Sequence, residues 1–347
     1  MSLADDVRAV RSSVTLIASD HVAAVRIGGA QAHELLDRVS PQQLFVRGGQ
    51  MLHTLLLADD ATPVADVYLC CGDDDYTVLA EGLDGPAIAA YLAAHATGLD
   101  AQITDLTPTH AMLSLDGPYA WELLTNLTSP HVIGLPYLAF YDEGRFTCFR
   151  AGKTGEFGYD LLVERARVDE IRALIEAAGA SVGLRTITLP AIETCALEAG
   201  FFNIRRDVRP GLTPIELQLQ WRVATIRTFP GSAALDARRA TVTSRVACLA
   251  SAAELVDDAP VLLDNEQVGR ILHAAHSPTR DEFLALALLD LPISHAGISG
   301  FVSNGAAART LSSPTINNRS LYVDPQRHSW ATRDTDVFPP ILRPAWS

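Results

Sequence analysis

The stretch Arg150-Ala-Gly-Lys-Thr-Gly-Glu-Phe-Gly-Tyr-Asp160 carries the densest chemistry of the chain, with three glycines threaded between Lys153, Glu156 and Asp160. Gly152-Lys153-Thr154 has the look of a phosphate loop. Such a loop needs a glycine five residues before its Gly-Lys pair, where Thr147 stands, and a helix after it, whereas Tyr159–Val163 alternates like a strand. The glycines describe instead a tight strand-to-strand turn. It either admits a ligand or a second backbone at close range, or is a plain glycine-rich hairpin.

A second concentration of charge is Arg205-Arg206-Asp207-Val208-Arg209. Clustered arginines can bind a carboxylate tail or an anionic substrate, or form a solvated loop paired with nearby acids. His273-Ala-Ala-His276 has two histidines but no metal-site geometry, because that spacing on a strand sends the side chains to opposite faces. No metal site is expected.

The 347 residues hold 27 Lys+Arg against 41 Asp+Glu, and Lys153 is the single lysine. A net charge of −14 without a basic run argues against nucleic acid or an anionic membrane as partner, so a small-molecule substrate is expected. No apolar run approaches the ~18–20 residues needed to span a bilayer. The acidic N-terminus lacks the pattern of a signal peptide, and the five cysteines read as unpaired thiols, so a cytoplasmic protein is expected. Nothing in the pattern fixes an oligomeric state.

Length and a hydrophobic content of 48% predict two or three compact units. Strands are expected at 51–57, 64–71 and 76–80, with a helix at 86–95 opened by proline. A second α+β unit follows, with strands at 111–115, 146–151 and 159–163 and helices from 117 to about 126 and over 168–178. Beyond 242 the pattern becomes strand-rich, a β-barrel-like domain ending in a polar tail from about Thr310 that wraps the surface. The expected division is 1–241, holding both α+β units with antiparallel sheets, and 242–347.

Several further segments occur in a recognisable order. Leu115-Asp-Gly-Pro-Tyr-Ala120 opens a helix; the Thr154-Gly-Glu turn precedes Leu197-Glu-Ala-Gly200; Thr213-Pro-Ile-Glu leads to Trp221, then Phe229-Pro-Gly-Ser-Ala-Ala-Leu235 and Val268…Ser277-Pro. Taken together, over roughly residues 8–300, this set resembles the aminomethyltransferase family, the T-protein of the glycine cleavage system and its folate-dependent relatives. The resemblance implies an α+β fold of three domains in a ring around a tetrahydrofolate site, and transfer of a methyl or aminomethyl unit between a small substrate and the folate. It also implies that Asp66 is the catalytic acid. A carboxylate there can orient a reacting amine, hold its proton and stabilise an iminium-like carbon, although a solvated strand acid is the plain alternative. His53, thirteen residues earlier on the preceding strand, is a polar partner across a hairpin or a satisfied core histidine.

By the same resemblance Asp160 falls on the pterin-clamping glutamate, one methylene shorter, with Glu156, Tyr159 and Lys153 alongside it in the glycine turn. Lys153 stands where the family has an aromatic residue, Ile192 where it has arginine, and Glu81 near its asparagine. His53, Arg205, Arg206, Arg209 and Asp207 are expected on the substrate side. These departures imply a substrate other than that of glycine cleavage. The alternatives are the same scaffold without folate, working as a lyase or hydrolase, or a non-catalytic folate- or metabolite-binding protein.

Overall fold

The computed structural model describes residues 2–342. In chain order the elements are α1 (Leu3–Ser12), β1 (Val14–Ala18), β2 (Ala23–Gly28), α2 (Ala32–Val39), β3 (Gln50–Leu57), β4 (Pro63–Cys71), β5 (Tyr76–Glu81), α3 (Gly85–His95), β6 (Gln102–Asp105), β7 (His110–Asp116), α4 (Ala120–Thr125), β8 (Phe140–Asp142), β9 (Thr147–Phe149), β10 (Gly158–Glu164), α5 (Val168–Gly179), β11 (Leu184–Thr186), α6 (Leu189–Ala199), α7 (Ile204–Asp207) and α8 (Ser232–Arg239). Strands β12 (Ser244–Ser251), β13 (Pro260–Leu263), β14 (Glu266–Ser277), β15 (Glu282–Asp290), β16 (Ser299–Ser303) and β17 (Ala306–Leu311) complete the chain.

These make two sheets and a closed barrel. One sheet runs β3-β4-β5-β2-β6, the other β11-β1-β7-β10-β9-β8, and the barrel β12-β15-β14-β13-β16-β17. All pairings are antiparallel except β1 with β11. The two α+β units are not consecutive, as the sequence pattern suggested, but interleaved: the chain lays down β1, builds the whole of the first sheet, and returns to the second at β7. Short β1 and β2, flanking only a turn, carry no periodicity long enough to reveal this.

The sheets face each other. Ala24, Met51, Tyr68 and Leu79 of one pack with Met112, Phe149 and Leu162 of the other, while α2 and α3 cover the outer face of the first and α4 and α5 that of the second. In the turn between β9 and β10, a Cβ on Gly158 would lie 2.1 Å from the Ala151 carbonyl oxygen, and Gly152 adopts φ +137°. The glycines therefore serve backbone-on-backbone approach, one of the two readings open from the sequence.

Arg11 ties the parts together. Its guanidinium, 3% exposed, reaches Glu198 of α6 at 2.8 Å, Glu156 and the Thr154 carbonyl of the glycine turn at 3.2 and 2.6 Å, and Asn318 of the tail at 3.4 Å. The tail continues by hydrogen bonds from the Ser320 amide to Glu156 and from the Trp330 amide to Glu122. Replacing Arg11 with methionine leaves two buried carboxylates unmatched; urea denaturation is expected to register a loss of about 3–5 kcal/mol.

Candidate functional site

Strand periodicity gives each sheet a polar stripe on its inner face. On β4, Ala65, Val67 and Leu69 pack beneath the helices, which leaves Asp66 and Tyr68 facing inward. On β7 and β10 the same alternation buries Leu113, Leu115, Tyr159 and Leu161 against α4 and α5 and turns Ser114, Asp116 and Asp160 inward. Tyr68, Ser114, Asp116 and Asp160 of these stripes line the smaller of two compartments. The smaller, about 50 Å³, is bounded by Ser114, Asp116, Asp160, Glu81, Lys153 and Arg205. The larger, about 830 Å³, lies toward the barrel and is bounded by His53, Tyr137, Phe202, Arg222, Asp207 and His273 among others.

Asp66, 3% exposed, lines neither compartment itself but is held by residues that line both. Its Oδ1 lies 2.8 Å from His53 Nε2 and accepts from Arg222 at 2.8 Å, both from the large side. Its Oδ2 is 2.7 Å from Lys153 Nζ, from the small side. Burial opposes the charge on Asp66, but Lys153, His53 and Arg222 outweigh it and hold the carboxyl far below the usual range. Burial also lowers the pKa of His53, so the ring is neutral near pH 7 and donates from Nε2 to the carboxylate. Lys153 is opposed by burial too, yet Asp66 and Glu81 raise its pKa above 10.5.

The ion pairs continue from Lys153. Its Nζ reaches Glu81 Oε1 at 2.5 Å; Glu81 also pairs with Arg205, which is 3.3 Å from Glu193. Asp66 and Glu81 are cross-strand neighbours in the β4–β5 register, so Lys153 spans adjacent acids on one face. Opposite this charged chain lie two acids of the other kind. Burial raises Asp160 to about 6, against a hydrogen bond donated by Ser114 Oγ at 2.5 Å. Burial, helped by the neighbouring Asp160, raises Asp116 to about 7, against one donated by Thr154 Oγ1 at 2.8 Å.

Residues 1–227 match the family model described as the GCVT N-terminal domain. The chain belongs to the T-protein-like aminomethyltransferase family. Curated relatives include the aminomethyltransferase of Frankia alni, 31% identical over 303 residues that cover 82% of this chain and 80% of that one, and that of Saccharopolyspora erythraea, 27% identical over 294 residues covering 81% and 80%. Among solved structures, the glycine cleavage system aminomethyltransferase T of Bartonella henselae has the same fold, with a TM-score of 0.81 at 21% identity over 90% of this chain and 89% of that one.

Set on that family pattern, its departures fall together in space. Lys153, at the usual aromatic position, and Glu81, near the usual asparagine, are mutual partners, and Arg205 completes their chain. Arg205 and Ile192 line the same compartment, so a guanidinium from α7 stands close to where the pattern puts one on α6. Lys153, Glu81 and Arg205 thus act as one electrostatic unit.

Other expected site residues go elsewhere. Glu156 is turned from the cavity to receive Arg11 and the Ser320 amide and hydroxyl, because the glycine turn doubles as the anchor of the tail. Tyr159, one residue before Asp160, points by strand alternation into the core beneath α4 and α5. Arg206 and Arg209 leave the site for Asp257 and Asp258 at 2.7 and 3.2 Å, tying α7 to the barrel. His21, Ser114, Glu193 and Arg222 were missed. Only Arg222 had a signal, standing directly after Trp221 in the Thr-Pro…Trp segment. Among the described residues no group of three or more His, Cys, Asp and Glu gathers as a metal site, and no helix is long and apolar enough to cross a membrane.

The acid at 160 imposes a definite pH signature. Its folded pKa, raised from 3.8 to about 6, favours the native state below about pH 4, and that advantage is lost as pH rises through 6. Asp160→Asn is therefore expected to stabilise the protein by about 2–3 kcal/mol at pH 8 and by little at pH 4, read from urea midpoints at the two pH values.

Proposed function

We propose that the protein transfers a one-carbon unit, methyl or aminomethyl, between tetrahydrofolate and a small metabolite other than the substrate of glycine cleavage. The observation that carries this reading is the pair of compartments whose lining residues Lys153, His53 and Arg222 converge on Asp66, one holding the Asp160 carboxyl and the other wide and largely apolar. The donor set suits the folate. Asp160 can accept from the amino and ring N–H groups of a reduced pterin, and Tyr137, Leu138 and Phe202 offer flat apolar walls. Arg222, whose buried Nε has no partner among the described residues, offers a donor to a carboxylate. When bound, the folate supplies the nitrogen that carries or receives the one-carbon unit.

The chain's own residues divide the remaining work. Asp160 and Ser114 fix orientation at the deep end. Asp66 keeps its negative charge next to the reacting centre and holds Arg222, His53 and Lys153 in place; its Oδ2 becomes free for a substrate amine when Lys153 moves aside. Lys153 also narrows the compartment to a volume that holds only a few waters, so entry of a bicyclic ring requires its displacement. That narrowing favours a second reading, a scaffold that has left folate for other small-molecule chemistry.

Calorimetric titration with tetrahydrofolate separates the two. The proposal expects binding that Asp160→Ala weakens about 10–100-fold, the worth of a charge-assisted hydrogen bond. Asp66→Asn is expected to keep folate binding within a few-fold and to remove turnover. No binding at near-millimolar folate overturns the proposal.

A further inference from the structure

The large cavity, lined by His53, is also lined by a second histidine–aspartate pair. His273, 5% exposed, places Nδ1 2.8 Å from Oδ1 of Asp207, itself 2% exposed. The other oxygen of Asp207 accepts from the Asn203 amide at 2.8 Å, which fixes the carboxylate. The angle of the Nδ1–Oδ1 contact is not a hydrogen bond's: among the described residues Oδ1 of Asp207 and both ring nitrogens of His273 are buried without a hydrogen-bond partner, although both residues line the cavity.

The backbone is arranged to put it there. Along β14 the register with β15 passes from Ile271↔Ala287 directly to His273↔Leu286, so Leu272 is the extra residue of a β-bulge. Ile271 and Ala274 pack inside the barrel, and Leu272 and Ala275 pack outside it. Regular alternation would have sent His273 inside with Ile271; the bulge turns it out to the cavity. Electrostatics favour a particular ligand. Asp207 is flanked in sequence by two arginines, yet Arg206 pairs with Asp257 and Arg209 with Asp258, which leaves Asp207 with no cation of its own. Nδ1 is the ring nitrogen nearest the carboxylate, so a small turn of the ring that lets Nδ1–H donate to Asp207 would leave Nε2 with a lone pair toward the cavity.

We infer that Asp207 and His273 form a proton-accepting site on the barrel wall, which takes an N–H donor: the amine or ammonium group of the small substrate. The inference deepens the proposed transfer and rests on it for its place in the reaction, though not for binding. The step balances simply. An N–H bond of the ammonium breaks, its electron pair stays on nitrogen as the nucleophilic lone pair, and the proton passes to Nε2, giving an imidazolium that Asp207 stabilises. Neither Asp66 oxygen can do this while His53, Arg222 and Lys153 occupy them. The other titratable groups lining the cavity are His53, Tyr137, Arg222, Cys248 and His295.

Nitrogen-15 NMR of histidine-labelled full-length protein tests this without knowledge of the substrate. His273→Gln assigns the signal; if that variant does not fold, the perturbation in Asp207→Asn assigns it instead. The free protein is expected to carry its His273 proton on Nδ1. Methylammonium should shift Nε2, tetramethylammonium, which has charge but no N–H, should not, and Asp207→Asn should weaken the methylammonium response at least about tenfold. A proton on Nε2 in the free protein, or the same response to both cations, overturns the inference. Failure of folate binding with the methylammonium response intact would remove the folate reading and leave this site standing; the reverse result would remove this site alone.

Discussion

A carboxylate buried to 3% exposure, as Asp66 is, costs several kcal/mol of lost hydration unless cations and donors are brought to it. The partners of Asp66 come from four parts of the chain: His53 from β3, Lys153 from the glycine turn, Arg222 from the segment after Trp221, and Glu81, through Lys153, from β5. Each is far from Asp66 in sequence or on another strand. Satisfying one charge therefore fixes how the two sheets meet and where the loop before the barrel must run. The ion cluster thereby joins residues that line the small compartment to residues that line the large one.

The environment sorts the acids of the site into two kinds. Asp66 and Glu81, matched by Lys153 and the arginines, are held ionised below their ordinary pKa values, whereas the partly buried Asp160 and the buried Asp116, each beside a hydroxyl donor, rise to about 6 and about 7. Pairs of acids pushed apart in this way are what proton-handling sites use. Here they also keep the deep compartment adaptable: Asp160 accepts more strongly when ionised, and ionisation becomes favourable when a ligand brings N–H donors to it.

Much of the architecture was legible because it rests on periodicity. Strands β3, β4 and β5 of the first sheet, the proline-opened α3 and the shift to a barrel leave patterns of two or 3.6 residues, and the sheets are antiparallel as expected apart from β1 with β11. The pairing of His53 with Asp66 was also readable, since a hairpin of that length makes them diagonal neighbours across the two strands. Long-range electrostatics left no such trace. Nothing local says that Arg11 crosses to Glu198, that Arg222 rather than the arginine cluster meets Asp66, or that Arg206 and Arg209 serve the barrel. The bulge at Leu272 is equally silent, because one extra residue in a strand of twelve leaves the hydrophobic pattern nearly intact.

The central claim is that Lys153 is a permanently charged strut between Asp66 and Glu81, and its being the single lysine makes the claim directly measurable. Carbon-13 labelling of lysine gives one ε-methylene signal, whose shift follows the charge of Nζ through a pH titration in the free protein. The account predicts no change through the range where exposed lysines lose their proton, about 10.4, until the protein unfolds. A free transition at or below that value would contradict it, and with it the ion-paired cluster on which the two-compartment site depends.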